Sequence, residues 1–227
     1  MGSARFPGKM LATLGGHPLL EWVLRRAMRA SRLDEVLLAT TTNSRDDSLV
    51  ELARQCGAGV FRGDETDVLA RFTGAAEASS AEWVVRICAD NPFVDPRELD
   101  RLVDFFAAED ADYACNHLDR LGSGYADGFG AEILGADLLK KVAAKATASG
   151  HREHVTSYLW GHADEYRLTA VPAPANLAFP HLRFDVDVPA DLARLERLVV
   201  AGVGSNSTAA EIVELARSTV AKAEAAL

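Results

Sequence analysis

A glycine-containing segment at the start of the chain has the residue types needed to hold a phosphate group. It runs Met1-Gly-Ser-Ala-Arg-Phe-Pro-Gly-Lys9, and a second glycine pair follows in Leu14-Gly-Gly-His-Pro18. Small residues let backbone N–H groups approach phosphate oxygens, and Arg5 and Lys9 can neutralise phosphate charge. The segment is not a Walker A loop, because Met10 stands where that motif has Ser or Thr. Taken alone, it is equally compatible with an ordinary turn whose charges are solvated.

Two aspartates stand where apolar runs typical of buried strands end. Asp90 follows the run Trp83–Cys88, and Asp187 ends the run Leu182–Asp187. Ligands of open α/β sheets bind at the carboxyl ends of strands, and Mg²⁺ is usually held by one or two carboxylates beside phosphates and waters. We therefore predict that Asp90 and Asp187 bind a metal ion. The alternative for each is that it caps the proline-initiated helix that follows.

Helical and strand patterns alternate along the chain and predict the elements that position these residues. Helices are predicted at 18–30, 46–56, 66–78, from Pro96 onward, at 189–200 and at 208–227, and strands at 35–41, 59–61, 83–88, 131–134, 166–171 and 182–187. This alternation predicts an α/β fold with right-handed crossovers and a doubly wound, mainly parallel sheet. The pattern loosens at 113–173, where four glycines indicate an irregular loop. We predict a single domain, 1–227, with an insert at 113–173 that builds a binding pocket.

Composition and charge restrict the classes of function. The 227 residues are 48% hydrophobic and 25% charged, which is typical of a globular protein, and the net charge of -9 argues against an extended nucleic-acid surface. Cys56, Cys88 and Cys115 lack a paired spacing, so we predict neither disulfides nor a zinc site. No apolar run approaches the roughly 20 residues that span a bilayer, and no signal peptide is recognised, so we expect no membrane association and a cytoplasmic location.

Five segments together resemble the cytidylyltransferase family of spore-coat polysaccharide biosynthesis proteins, which is similar to the CMP-Kdo and CMP-sialate synthetases. The segments, in order and with compatible spacing, are Met1–Lys9, Phe61–Asp64 with Asp67–Phe72, Val85–Phe93, Arg152–Thr156 and Asp187–Leu192. The resemblance implies a nucleotide-diphospho-sugar transferase-like fold. It also implies Mg²⁺-dependent transfer of CMP from CTP to an acidic sugar or related acceptor with release of pyrophosphate, for surface polysaccharide or glycan synthesis.

The resemblance also assigns roles to residues. It implies that Arg5 and Lys9 bind the CTP phosphates and act in catalysis with Asp90, and that Asp90 and Asp187 bind Mg²⁺. Nucleotide-lining positions are Gly2, Ser3 and Gly8. Positions on the acceptor side are Arg71, Arg86, Asp127, Glu132, Arg152 and His154. For these six, ion pairs or helix-surface positions are the alternative. The resemblance further implies a homodimer formed through the 113–173 insert.

The chain departs from the family pattern in three places. In the family an apolar strand precedes the Met-Gly-Ser segment and lies in the middle of the sheet, whereas this sequence begins at that Met. We therefore expect the first strand to be absent, through a start codon assigned too late or through a true truncation. Cys88 replaces a usual hydroxyl residue, and Ser157 stands where proline is common.

Two other functions stay open on the sequence. A nucleotide-sugar-dependent glycosyltransferase also uses acids at strand ends and a metal, but it releases no pyrophosphate from CTP. A non-catalytic, truncated relic that binds a nucleotide or a partner is the third reading, and the expected absence of a central strand favours it.

Overall fold

The computed structural model describes residues 5–224, which form strands and helices in alternation. The strands are β1 (Thr13–Leu14), β2 (His17–Pro18), β3 (Leu37–Thr41), β4 (Gly59–Gly63), β5 (Trp83–Arg86), β6 (Tyr113–Cys115), β7 (Glu132–Gly135) and β8 (Leu168–Ala170). The helices are α1 (Leu19–Ala27), α2 (Asp47–Cys56), α3 (Val68–Ala78), α4 (Pro96–Ala108), α5 (Ala136–Lys145), α6 (Ser149–Glu153), α7 (Ser157–Gly161), α8 (Pro189–Val200) and α9 (Ala209–Glu224). The predicted alternation is therefore present.

Within each of the two larger sheets, all strands except β7 run in the same direction. β3 and β4 pair in parallel and are joined through α2, and β6 and β8 pair in parallel. β7 lies between β5 and β6 and is antiparallel to both, so β5 and β6 run in the same direction and β7 is reversed. β1 and β2 form a small separate hairpin. The predicted α/β class is confirmed, with β7 as the reversed strand.

Helices cover both faces of the four-stranded sheet because neighbouring side chains along its strands point to opposite sides. Ala114 and Ile133 belong to a core that includes α1, α4, α8 and α9. Tyr113, Cys115 and Leu134, one residue away, belong to a second core with α3, α5 and α7. This period of two lets one short sheet bury apolar side chains in two layers.

A cleft separates β3 from β5. Within residues 5–224, β3 pairs only with β4 and β5 pairs only with β7, and no strand lies between them. The two strands line a mainly apolar cavity of about 870 Å³. This is the middle of the sheet, where the family resemblance implies a further strand.

The segment 182–187 is not the strand that the sequence predicted. Only Arg183 forms a bridge, with Asp127, whose N–H donates to Leu182 O and whose carbonyl accepts from Phe184 N–H. Four residues beyond Leu182, Val186 N–H donates to the carbonyl of Asp90 instead, at 2.9 Å. The segment is therefore extended but shared between two loops, which prevents a regular ladder.

The 113–173 region is more regular than its glycines suggested. It contains β6, α5, α6 and α7 in addition to the predicted strands β7 and β8. In α5 the buried residues Ala136, Leu139 and Val142 recur at helical spacing and pack in the second core. The three cysteines are free thiols. None of the helices in the described part of the chain is long and apolar enough to cross a membrane.

Candidate active site

Residues other than Asp90 and Asp187 cap the two helices that follow the strand-end loops. Asp95 caps α4, accepting a hydrogen bond from Arg97 N–H at 2.9 Å. At α8, the N–H groups of Asp187 and Val188 both donate to one carboxylate oxygen of Asp191 at 3.0 Å. The capping alternative therefore does not account for Asp90 or Asp187, and their carboxylates face other partners.

Those partners are the two predicted cations of the N-terminal segment. Lys9 Nζ lies 3.0 Å from Asp90 Oδ2 and 3.8 Å from Asp187 Oδ1, and it donates to Val186 O at 2.7 Å. Arg5 contacts both oxygens of Asp187 at 3.2 Å. The two cations of the N-terminal segment thus lie beside two aspartates that are distant from them in sequence.

Backbone geometry directs Lys9 into this position. Gly8 has φ 72°, in the left-handed region that glycine adopts without a steric penalty, and it precedes a short 3-10 helix, Lys9–Leu11. Lys9 is consequently 9% exposed, whereas the side chain of Arg5 is 69% exposed. A buried ammonium requires opposite charge nearby, which Asp90 and Asp187 provide. Gly2 and Ser3 lie outside the described residues.

The second glycine pair forms a structural turn. Gly15 and Gly16 have φ 58° and 83° and connect β1 to β2, as two-residue hairpin turns require. The N–H of Gly15 already donates to Glu196 of α8 at 2.8 Å, and a Cβ at Gly15 would lie 2.7 Å from Val199. Close packing against α8, rather than phosphate binding, explains this pair.

A first cavity of about 620 Å³ opens beside Asp90 and Asp187. Asp127 and Asp185 also line it, and Asp185 is paired with Arg183 at 2.7 Å. Burial raises the pKa of Asp127 to about 6, and the negative charges of Asp185, Asp90 and Asp187 add to this effect against the opposing charge of Arg183. The cavity is therefore rich in carboxylates at the end of the sheet where ligands are expected.

Arg86 and Glu132 form a buried ion pair in the wall of this cavity. They lie opposite each other on β5 and β7, and Glu132 also accepts hydrogen bonds from Tyr113 at 2.6 Å and Thr156 at 2.8 Å. Burial alone would raise the pKa of Glu132, but Arg86 and these donors hold it below its usual value. Burial raises the pKa of Cys88, also in the wall, to about 11, so its thiol stays protonated at neutral pH.

The six predicted acceptor-side residues divide between two cavities. Four line the first cavity: Arg86, Asp127, Glu132 and His154. Arg71 and Arg152 instead line a second cavity of about 750 Å³ together with Thr41 and Ala89. Arg71 donates to the carbonyl of Asp64 at 2.6 Å, and Arg152 is paired with Asp67. Both arginines are engaged by protein groups: Arg152 forms an ion pair, as the alternative stated, and Arg71 donates to a backbone carbonyl.

The residues in the wall of the first cavity that were not predicted include His117, Arg120 and Trp160. His117 is the second residue after β6, so it follows the same strand-end rule as Asp90. β6 was not predicted as a strand, so the strand-end rule could not point to His117. Trp160 belongs to α7, a five-residue helix too short to give a clear periodic pattern.

Asp90 and Asp187 fit a hard divalent cation whose remaining coordination positions are filled by a bound ligand and water. Within residues 5–224, no group of three or more His, Cys, Asp or Glu side chains is arranged to hold a metal ion by itself. Asp90 and Asp187 provide two partly exposed carboxylates that already converge on one cation, the Lys9 ammonium. Two carboxylates suit Mg²⁺ when phosphates and waters supply the remaining ligands.

Similarity to known proteins covers all of these residues. The family model described as cytidylyltransferase matches residues 1–217. The spore coat polysaccharide biosynthesis protein SpsF of Bacillus subtilis is 32% identical over 221 residues, 95% of this chain and 90% of SpsF. The 3-deoxy-manno-octulosonate cytidylyltransferase of Pelobacter propionicus is 34% identical over 104 residues, 44% of this chain and 39% of that protein. A cytidylyltransferase structure from Leptospira borgpetersenii matches with a TM-score of 0.90 and 25% identity, covering 97% of this chain and 92% of that one.

Proposed function

The chain belongs to the cytidylyltransferase family, and from this we propose that it transfers CMP from CTP to an acidic sugar or a related anionic acceptor, releasing pyrophosphate. The observation that carries the proposal is the meeting of Lys9, Arg5, Asp90 and Asp187 at the mouth of a carboxylate-rich cavity. A triphosphate needs cations for its oxygens, and two carboxylates can hold a divalent ion against it. SpsF, a relative over nearly the whole chain, acts in polysaccharide biosynthesis by its name, which favours a sugar acceptor.

Lys9 and Arg5 bind the phosphates in this proposal. Arg5 is exposed and can turn toward the outer phosphates, where a guanidinium binds phosphate oxygens in a bidentate manner. Lys9 is held by Val186 O and can exchange a carboxylate for a phosphate oxygen without leaving its position. Both residues thus stabilise the negative charge that develops on the leaving pyrophosphate, and such stabilisation supplies most of the rate in phosphoryl transfer.

Asp90 and Asp187 would hold Mg²⁺. When bound, this ion neutralises charge on the phosphate oxygens and lowers the pKa of a coordinated hydroxyl. The two loops that carry the aspartates are joined by the hydrogen bond from Val186 N–H to Asp90 O, at 2.9 Å. This link keeps the carboxylates at a constant separation, which favours a metal that demands near-ideal geometry.

The two cavities suit the two substrates. Ala89 lines the second cavity and Asp90 lines the first, so both open at the same loop. We assign the nucleoside to the second cavity, whose wall includes Thr40 and Thr41 with their hydroxyl groups held by Asp46, and the acceptor to the first. The α-phosphorus would then lie between them, beside Lys9. The homodimer and the cytoplasmic location stay predictions.

Removal of one metal-binding carboxylate tests the proposal. We expect Asp90→Asn and Asp187→Asn each to lower CTP-dependent pyrophosphate release roughly a hundredfold or more, because an amide is a weak ligand for a hard cation. The assay contains CTP, Mg²⁺ and a panel of acidic sugars. Asp164→Asn is the matched control, since Asp164 is exposed and lines neither cavity.

Three results would contradict the proposal in different ways. Wild-type turnover in Asp90→Asn and Asp187→Asn would remove the metal assignment. Consumption of a sugar nucleotide without pyrophosphate release from CTP would favour a glycosyltransferase. Tight CTP binding with no turnover of any acceptor would favour the non-catalytic reading.

A further inference from the structure

The first cavity contains one arginine that no carboxylate neutralises, and we propose that this residue, Arg120, binds the anionic group of the acceptor. The inference rests on the proposed function, because it concerns the same cavity. Two arginines, Arg86 and Arg120, line the cavity, and Arg86 is paired with Glu132. Arg120 forms no ion pair with any residue of the described range 5–224, and its guanidinium instead stacks on Trp160.

Other arginines near the site are already engaged. Arg183 is paired with Asp185 at 2.7 Å and lies 3.7 Å from Asp127. Arg152 is paired with Asp67 and donates to a backbone carbonyl at 2.6 Å, beside the second cavity. Recruiting either residue for a ligand would leave a buried or partly buried carboxylate unpaired, which is costly. Arg120 has no carboxylate partner among residues 5–224, so its use by a ligand leaves none unpaired.

Arg120 lies over the ring of Trp160. Its Cζ atom lies 4.6 Å from the centre of the Trp160 ring. Trp160 packs edge-on against the buried Tyr113, with ring centres 5.4 Å apart at 84°. A guanidinium over an aromatic face is held by a cation–π contact, and its N–H groups can match two oxygens of a carboxylate or phosphate.

Two polar ring atoms in the same wall also lack protein partners. Among the described residues, Nδ1 of His117 and Nε1 of Trp160 are buried without a hydrogen bond. Unpaired buried polar atoms cost free energy, and a bound polar ligand would recover it. Burial lowers the pKa of His117, so the imidazole is neutral at neutral pH. It therefore adds a polar group beside Arg120 and not a second charge.

The loop that carries His117 and Arg120 is held at both ends. Asn116 accepts from Ala131 N–H at 2.9 Å and donates to Glu98 O at 2.7 Å. After Arg120 the chain reverses through Leu121, whose φ of 53° is unusual for a leucine, and Ser123 N–H returns to Arg120 O at 3.0 Å. A loop fixed in this way loses little conformational entropy when a ligand binds.

Arg120 determines where this cavity could receive an anionic acceptor. Five carboxylates line it, at positions 90, 127, 132, 185 and 187, and they repel an anionic ligand unless a cation receives it. Arg120 supplies that cation. A carboxylate and a phosphate ester present the same pair of oxygens, so both belong to the predicted class, and a neutral sugar does not.

Binding measured without CTP tests the inference independently of turnover. Trp160 fluorescence would be titrated with glucuronate, glucose 6-phosphate and glucose, with Trp160→Phe identifying its share of the signal. We expect saturable binding of at least one anion, no binding of glucose, and roughly tenfold or more weaker anion binding in Arg120→Gln. Arg54→Gln, a substitution of an exposed arginine on α2, should bind as wild type does. The anion that binds more tightly identifies the carboxylate or the phosphate as the recognised group.

Failure of this inference is distinguishable from failure of the proposed function. Absence of saturable anion binding, binding of glucose at similar affinity, or an unchanged dissociation constant in Arg120→Gln would overturn the role of Arg120 even if CTP is turned over. Arg120-dependent anion binding without pyrophosphate release from CTP would support the inference and overturn the proposed activity. Where turnover occurs, Arg120→Gln should raise KM for the acceptor and leave KM for CTP unchanged.

Discussion

Asp127 is one of the five carboxylates that line the first cavity. Asp127 is mostly buried, and burial raises its pKa to about 6, with further increases from the charges of Asp185, Asp90 and Asp187. Arg183, 3.7 Å away, opposes this shift but is closer to Asp185. In the protein without ligand, ionisation of Asp127 therefore costs free energy. A cation bound at the site would lower this cost, because opposite charge favours the ionised form.

Asp127→Asn tests this at the residue level. A raised pKa in the folded state means that stability is present below the unfolded pKa of about 4 and is lost as pH rises through about 6. The variant lacks this loss, so its free energy of unfolding should exceed that of wild type by about 1–3 kcal/mol at pH 7 and be similar near pH 4. Urea unfolding of both proteins in EDTA measures the difference. A difference that does not change with pH would contradict the shift.

At the level of elements, one ion pair connects three helices beside the second cavity. Arg152 of α6 is paired with Asp67 and donates to the carbonyls of Ala143 and Ala146, at the end of α5. Asp67 also caps α3 by accepting from Ala70 N–H at 2.8 Å. An isolated helix of five residues is unstable, so α6 depends on such contacts for its position.

Substitution of Arg152 separates a structural role from an acceptor-binding role. We expect Arg152→Met to lower the free energy of unfolding by about 1–3 kcal/mol, because it leaves a carboxylate and a carbonyl without their donor. Asp67→Asn, which retains an oxygen for the cap, should cost less. Denaturant unfolding and acceptor KM are measured together. Unchanged stability with a raised KM for the acceptor would instead assign Arg152 to binding.

At the level of the whole molecule, a buried arginine binds backbone carbonyls of the loop that contains Asp90. Arg26 of α1 is 1% exposed and donates to Val94 O at 2.7 Å, and to Ser205 O and Ser207 O at 2.8 Å. It thus joins α1, the loop after β5 and the connection between α8 and α9. Burial lowers the pKa of Arg26 to about 10, against the charge of Asp95, so it remains protonated at neutral pH.

Arg26→Met should destabilise the protein strongly. The methionine fills similar volume but leaves several buried carbonyls unpaired, and loss of one partner from a buried charged network costs about 3–5 kcal/mol. Arg29→Met, three residues further along the chain and exposed, should cost less than about 1 kcal/mol although Arg29 also donates to Ser205 O. Thermal unfolding compares the two variants. Equal losses would show that the carbonyl contacts of Arg26 contribute little.

The sequence by itself determined the features that depend on local patterns. Hydrophobic periodicity located most helices and most strands, although not β6, to within a few residues, because period and turn residues are properties of short segments. The rule that ligands bind at strand ends predicted Asp90 and Asp187 as metal ligands, although 182–187 forms no regular strand, and the Gly8-Lys9 pair was predicted to bind phosphate from its small and cationic residues. Each of these conclusions needs only neighbours in the chain.

Only the tertiary structure decided which charges remain available. The chain has 24 Lys and Arg residues and 33 Asp and Glu residues, and composition does not say which of them pair. Arg86 is taken by Glu132 across two strands and Arg152 by Asp67, 85 residues away, whereas Arg120 rests on an aromatic ring. The segment 182–187 likewise forms no strand because two loops compete for its backbone groups. Long-range competition for partners has no signature in a short segment, so it becomes visible only when the chain is folded.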